Sequence, residues 1–255
     1  MHLSYDRFGS GEPLLLIQGM SGHRRMWGPE FLGELAEDFD VVAYDHRGVG
    51  ESDRAESFTI ADLADDAAEL MTRLGLDSAH IVGISMGGMV AQELALNHPE
   101  RVRTLTLGCT SAGGFTAGHL GAGLIRVIEA VQAGDRDEIR LAGYEANLSP
   151  AFRADPANLE PYAETALSVK VPGPVIQLQI MAAGAFDVTD RVAALTMPVL
   201  VVHGTADDMI PVSNGIALGE RIPGSKVELF DGVGHLFWWE EPGKSANLIR
   251  AHALG

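Results

Sequence analysis

The sequence predicts an α/β fold: a mostly parallel sheet with helices on both faces and a helical insertion between two of its strands. Three observations carry the prediction. Short, β-branched apolar runs recur along the chain, each followed by a segment of helical periodicity. The stretch AHIVGISMGGMVA, residues 79–91, passes from buried-strand to helix composition across Gly83-Ile84-Ser85-Met86-Gly87. Between residues 111 and 190 the alternation stops and only amphipathic helical pieces are readable.

In chain order, residues 1–8 and 14–17 read as two strands joined by the turn Gly9-Ser10-Gly11-Glu12-Pro13, a hairpin expected at a sheet edge. The loop Gln18-Gly19-Met20-Ser21-Gly22 leads to a helix over 29–38. The strand at 41–44 runs into Asp45-His46-Arg47-Gly48-Val49-Gly50-Glu51-Ser52. Thr59 or Ser57 caps the next helix, Ile60, Leu63, Ala67, Leu70 and Met71 form its apolar face, and Gly75 ends it. Strands follow at 81–84 and 102–107. The insertion carries helical patterns at 120–133, 135–147, 161–169 and 175–185. Strands at 199–203 and 226–230 and helices at 213–221 and 240–253 complete the chain. Residues 1–110 and 191–255 are read as the core, and residues 111–190 as a helical cap. In such sheets ligands sit beyond the carboxyl ends of the strands.

The chain of 255 residues is 46% hydrophobic, enough for one large core. Its formal charge of −17 disfavours nucleic acid and anionic membranes as partners. No apolar run reaches the length of a membrane span, and the N-terminal residues lack the apolar stretch of a secretion signal. Cys109 is the only cysteine, so no internal disulfide forms and a cytoplasmic location is expected. Neither a zinc-spaced Cys/His cluster nor a calcium loop is present, and no internal repeat is found. The oligomeric state is left open, a homo-oligomer included.

Gly83-x-Ser85-x-Gly87 matches the nucleophile turn Gly-x-Ser-x-Gly in its strand–turn–helix context. A serine on so sharp a turn is pushed out above the sheet, and the flanking glycines leave room for it. Its hydroxyl needs a base, and the base needs an orienting acid. Of nine histidines, His235 lies in a loop just past the last strand, Asp231-Gly232-Val233-Gly234-His235. His46 and His203 also fall near strand ends, and His23 and His119 lie where substrate could touch them. The acid candidate is Asp207, four residues past His203, with Asp208 as rival. The loop one strand earlier, Gly108-Cys109-Thr110-Ser111-Ala112, holds no carboxylate. Backbone N–H groups of Met20 and Met86 are the candidates for stabilising an oxyanion. Trp27, Met209, Leu236 and Trp238 are expected against the substrate, with Phe237 on the loop side and Phe115, Leu120, Leu124, Met181 and Phe186 from the cap. Arg24 and Arg25 are candidates for meeting a substrate carboxylate.

Together these pieces resemble the α/β-hydrolase superfamily across essentially the whole chain. The resemblance rests on Gln18-Gly19-Met20, the Asp45–Ser52 stretch, Gly83–Gly88, Gly204-Thr205-Ala206-Asp207-Asp208 and Gly234-His235. Gln18 stands where histidine is common. The segment Arg25-Met26-Trp27 and the cap length resemble the 3-oxoadipate enol-lactonase and small carboxylesterase group. The resemblance implies a serine hydrolase acting on a small-to-medium carboxylic ester or lactone through Ser85, His235 and Asp207, with no metal or organic cofactor. The alternatives are a cofactor-free perhydrolase (haloperoxidase) or a carbon–carbon bond hydrolase on the same triad. Less favoured is a ligand-binding receptor on this fold, which has no chemical need for all three residues.

Overall fold

The computed structural model describes residues 1–113 and 120–255. Among these, seven strands form one sheet: β1 (Tyr5–Phe8), β2 (Glu12–Ile17), β3 (Phe39–Tyr44), β4 (Ala79–Ile84), β5 (Val102–Gly108), β6 (Val199–Gly204) and β7 (Lys226–Phe230). Their spatial order is β1-β3-β2-β4-β5-β6-β7, and only β1 runs antiparallel to its neighbour. The helices are α1 (Pro29–Ala36), α2 (Ile60–Arg73), α3 (Met86–Asn97), α4 (Ala122–Ala133), α5 (Arg136–Asn147), α6 (Pro150–Arg153), α7 (Leu159–Leu167), α8 (Gly173–Ala185), α9 (Ser213–Arg221), α10 (Phe237–Glu240) and α11 (Pro242–Leu254).

The period-2 alternation of the strands builds two cores. Leu14, Leu16, Val41, Ala43, Val82, Ile84, Leu200 and Val202 face α1 and α11. Leu15, Ile17, Val42, Ile81, Leu105, Leu107 and Val201 face α2, α3 and α9. A strand buried on both faces reads as a continuous apolar run, which is why β2 and β6 show no polar alternation. Thr59 caps α2 in a reciprocal box: its hydroxyl accepts from Asp62 N–H at 3.1 Å while Asp62 Oδ2 accepts from Thr59 N–H at 2.7 Å.

The expected N-terminal hairpin does not form. β1 pairs with β3, from Tyr5 opposite Tyr44 to Phe8 opposite Val41, and β2 lies between β3 and β4. β2 is apolar on both faces and needs a strand on each side. Tyr5, Arg7 and Phe8 of β1 stay exposed, which suits an edge. The connecting loop reaches across the start of β3 because Gly9 and Gly11 take positive φ and press on the backbone of Ala36, Asp38 and Phe39, where a side chain would collide.

Among the described residues, five helices, α4 to α8, lie between β5 and β6. Leu124 and Ala146 pack on Met209 and Ile210 past the end of β6. Tyr144, Leu148 and Tyr162 join the cluster containing Leu236 and Trp238. The short helix α6 had no counterpart in the sequence reading, although Ser149-Pro150 is an N-cap followed by proline at the first helical position. Among the described residues, no helix is long and apolar enough to cross a membrane.

Gly33 sits inside α1 with open space where a β-carbon would go, whereas Leu16 is fully buried on a central strand. Gly33→Ala is therefore expected to raise stability by about 0.5–1 kcal/mol and Leu16→Ala to lower it by about 2–5 kcal/mol, read from urea midpoints. Equal or same-sign shifts would contradict this packing.

Candidate active site

Ser85 separates β4 from α3 with φ 54° and ψ −125°. Its backbone is locked in place. Ser85 N–H donates to the Gly108 carbonyl at 2.9 Å, and its own carbonyl accepts from Gly88 N–H at 2.9 Å and the Thr110 hydroxyl at 2.7 Å. A side chain at Gly83 would strike the Gly87 carbonyl and Ala91, and one at Gly87 would strike the carbonyls of Ile17 and Gln18. The two glycines therefore permit the close crossing of strand, helix and neighbouring loop that holds the serine outward.

Ser85 opens on a cavity of about 1180 Å³, walled on one side by the strand ends and on the other by the inserted helices. Met20, Met86 and His235 line the same cavity. Met86 is the first residue of α3, so its N–H is among those a helix leaves unpaired at its positive end. The Met20 loop is fixed from three directions. Gly19 N–H donates to Gln18 Oε1 at 3.1 Å, and Ser21 N–H donates to Gln179 Oε1 on α8 at 2.9 Å. The Gln18 carbonyl accepts from the buried His46 ring at 2.9 Å.

His235 is almost fully buried, and its Nδ1–H donates to Asp207 Oδ2 at 2.7 Å. Asp207 Oδ1 accepts from Met209 N–H at 2.8 Å and Ile210 N–H at 2.9 Å. Burial alone would raise the pKa of this carboxyl. Attraction to His235 and hydrogen bonds from His203 and His235 outweigh it and hold the group at about 2. Asp208, the rival, is exposed, and its carbonyl is what the inserted segment uses, accepting Gly123 N–H at 3.0 Å.

The structure adds His203, which sequence reasoning left as one strand-end histidine among several. It is fully buried; its Nε2 lies 3.1 Å from Asp207 Oδ2 and 2.8 Å from the Ile210 carbonyl. Its position four residues before Asp207, closing an otherwise apolar strand, was the available signal. Cys109 also joins the cluster: its Sγ, the Asp207 carboxylate and the His235 ring fall within 4.8 Å of one another. Burial pushes the Cys109 thiol up, and the Asp207 charge adds to the effect, so it stays a neutral neighbour.

The expected substrate contacts divide. Met209, Leu236, Trp238 and Leu124 line the cavity. Trp27 does not: it is 1% exposed, stacked on Phe31 and tilted against Trp238, behind the wall rather than in it. Phe237 and Phe186 are core residues, Met181 points to solvent, and Leu120 packs at the edge of the Leu124 cluster. Phe115 and His119 lie outside the described residues. His23 is buried with Nε2 3.3 Å from the Ala166 carbonyl. Arg24 is bound to Asp6 and Asp45, and both Arg24 and Arg25 line a separate surface groove. The cations lining the Ser85 cavity that make no ion pair among the described residues are instead Arg140, Arg153 and Lys170.

A family model described as the alpha/beta hydrolase fold matches residues 12–242. The chain belongs to the α/β-hydrolase family. Among relatives of this α/β hydrolase, a protein of Azorhizobium caulinodans named as a carbamate hydrolase, RutD, is 33% identical, covering 92% of this chain and 88% of that one. A protein of Mycobacterium tuberculosis named as a non-heme bromoperoxidase, BpoC, is 28% identical over 95% and 94%. Of solved structures, a thermophilic esterase from Thermogutta terrifontis superposes with TM-score 0.84 at 30% identity, covering 98% of this chain and 92% of that one. The esterase RhEst1 from Rhodococcus sp. superposes at 0.87 with 26% identity, covering 98% and 93%.

The Asp207 value fixes a pH dependence. Its folded pKa lies below the ordinary 3.8, so its stabilisation is complete above that value and lost as pH falls through about 2. The stability difference between wild type and Asp207→Asn in urea titrations is expected to shrink by about 2 kcal/mol between about pH 5 and pH 2. A difference that stays constant across that window would contradict the ionised, buried carboxylate.

Proposed function

We propose that this α/β hydrolase is a serine hydrolase that cleaves carboxylic esters or lactones through an acyl-enzyme. The observation that carries the reading is the buried 2.7 Å bond from His235 to Asp207, with His235 and Ser85 opening on one cavity. In this reading Ser85 attacks the carbonyl carbon while His235 Nε2 takes the hydroxyl proton. Asp207 holds Nδ1–H and stabilises the imidazolium. The N–H groups of Met20 and Met86 receive the oxyanion. His235 then returns the proton to the leaving alkoxide, and a water repeats the sequence on the acyl-enzyme. Residues 111–190 act as the cap that excludes bulk water, and the cytoplasm is the assigned location, in keeping with a single buried thiol.

Relatives named as esterases support ester chemistry, and the relative named as a carbamate hydrolase brings a second reading, attack on a carbamate carbonyl by the same residues. The cavity wall is mainly apolar, with Met209, Leu236 and Trp238 near His235. Arg153, half-buried, donates Nε–H to the Leu148 carbonyl at 3.0 Å and pairs with no carboxylate among the described residues. In a chain of charge −17, an unneutralised guanidinium on that wall favours a substrate bearing a carboxylate.

Hydrolysis of p-nitrophenyl esters from acetate to octanoate by wild type and Ser85→Ala tests the reaction. Turnover is expected to fall by at least about 10³-fold in the variant while the thermal midpoint is kept; full activity in the variant would overturn the nucleophile. Arg153→Gln is expected to raise KM about 10-fold for a carboxylate-bearing ester and to leave a neutral ester unchanged. An equal loss on both would remove Arg153 from substrate recognition.

A further inference from the structure

The loop carrying His235 is held by two different parts of the molecule. Up to Val233 it is tied to the sheet: Val233 N–H donates to the Phe230 carbonyl at 3.3 Å, and the Val233 carbonyl accepts Ala206 N–H at 2.9 Å. From Gly234 onward it is tied to the inserted segment. Leu236 N–H donates to the Asn147 carbonyl at 3.0 Å. Gly234 N–H donates to Glu240 Oε1 at 2.9 Å. That same oxygen accepts Ser149 N–H at 2.8 Å, and Oε2 accepts the Ser149 hydroxyl at 2.5 Å. The residues on both sides of His235 are therefore bonded, directly or through one carboxylate, to residues 147–149.

The fit is close. A β-carbon on Gly234 would lie 2.7 Å from the Ser149 nitrogen, 2.9 Å from Glu240 Oε1 and 3.0 Å from the Asn147 oxygen. Gly234 has no positive φ, so the clamp explains the glycine, not turn geometry. Ser149 is 1% exposed, and its hydroxyl also accepts Phe152 N–H at 3.1 Å, capping α6. Both oxygens of the Glu240 carboxylate thus take part, and charge-assisted bonds of this kind are short and directional. Glu240 is not part of the cavity wall.

We infer that Glu240, together with Ser149, is a positioning clamp that sets where His235 stands relative to Ser85, so that the placement of the base depends on the inserted helices that wall the cavity. The inference rests on His235 being the base, as proposed above. Proton transfer needs heavy-atom approach within hydrogen-bond reach, and a displacement of about 1 Å costs on the order of 100-fold. Releasing the clamp lowers turnover and leaves binding of a small ester nearly unchanged.

The test compares wild type, Glu240→Ala, Glu240→Gln and Ser149→Ala by kcat and KM on p-nitrophenyl acetate, by thermal melting, and by the low-field proton NMR signal of the His235 Nδ1–H. Glu240→Ala is expected to lose about 10- to 100-fold in kcat with KM within about 3-fold, and to broaden or lose the His235 signal. Glu240→Gln, which keeps an acceptor for both N–H groups and a partner for the hydroxyl, restores most of the turnover and the signal. Unchanged kcat in Glu240→Ala, even with a lower melting temperature, would reduce the clamp to a structural role and overturn the inference; so would a rise in KM alone. Should Glu240→Ala fail to fold, Ser149→Ala decides, with a fall in kcat supporting the clamp and an unchanged kcat overturning it. Wild type without ester turnover would sink the hydrolase reading instead. The His235 signal would still judge the clamp, supported if lost in Glu240→Ala and overturned if unchanged.

Discussion

Among the described non-glycine residues, positive φ occurs at Ser21, Ser85 and Cys109. These residues follow β2, β4 and β5, which are neighbours in the sheet. Each such conformation costs on the order of 1–3 kcal/mol and persists only where the surroundings over-determine it. Here they do. The Ser85 peptide is bonded on both sides, Ser21 N–H is bonded to Gln179, and Cys109 N–H donates to the Val202 carbonyl at 2.8 Å. The sheet concentrates its backbone strain at one end of three adjacent strands, and the cavity opens there. The glycines of the Ser85 turn, the crossing of α3 over β2 and the inward seat of Thr110 all follow from holding that one serine outward.

The second organising group is the buried Asp207 carboxylate. An anion at this depth needs opposite charge and donors, and it has two amide N–H groups, His235 and His203 around it. The arrangement suits an imidazole whose Nδ1 must carry a proton, because a carboxylate accepts and does not donate. Cys109 stays neutral beside it and brings no competing charge. In this strongly acidic chain, many arginines are bound to carboxylates, as Arg7 is to Asp40 and Arg47 to the buried Asp66. Cations on the cavity wall with no ion pair among the described residues stand out against that background.

The chain wrote its strands, its capped helix α2 and the Ser85 turn in local signals of period, glycine and cap residues. That local record made the fold and the candidate Ser85, Asp207 and His235 legible. What it could not record was pairing between distant segments. A turn-like sequence at residues 9–13 looks the same whether the next strand pairs back or is separated by an inserted partner, and the choice was made by the two-sided apolar surface of β2. Trp27 follows the Met20 loop in sequence, yet its ring turns back onto Phe31 and Trp238. Arg24 is adjacent to that loop but is drawn to Asp6 and Asp45, both remote in sequence. Glu240 lies five residues past His235 within a helical pattern, and only the arrival of residues 147–149 gives its carboxylate a use.

The central claim is covalent chemistry at Ser85. Rapid acid quench of wild type during turnover of p-nitrophenyl acetate, followed by peptide mass mapping, tests it most directly. An acetyl group on the peptide containing Ser85, absent after quenching Ser85→Ala and longer-lived in His235→Ala where deacylation lacks its base, is the predicted result. Turnover in wild type with the acetyl group on another residue, or with no acyl-enzyme at any quench time while product accumulates, would contradict it.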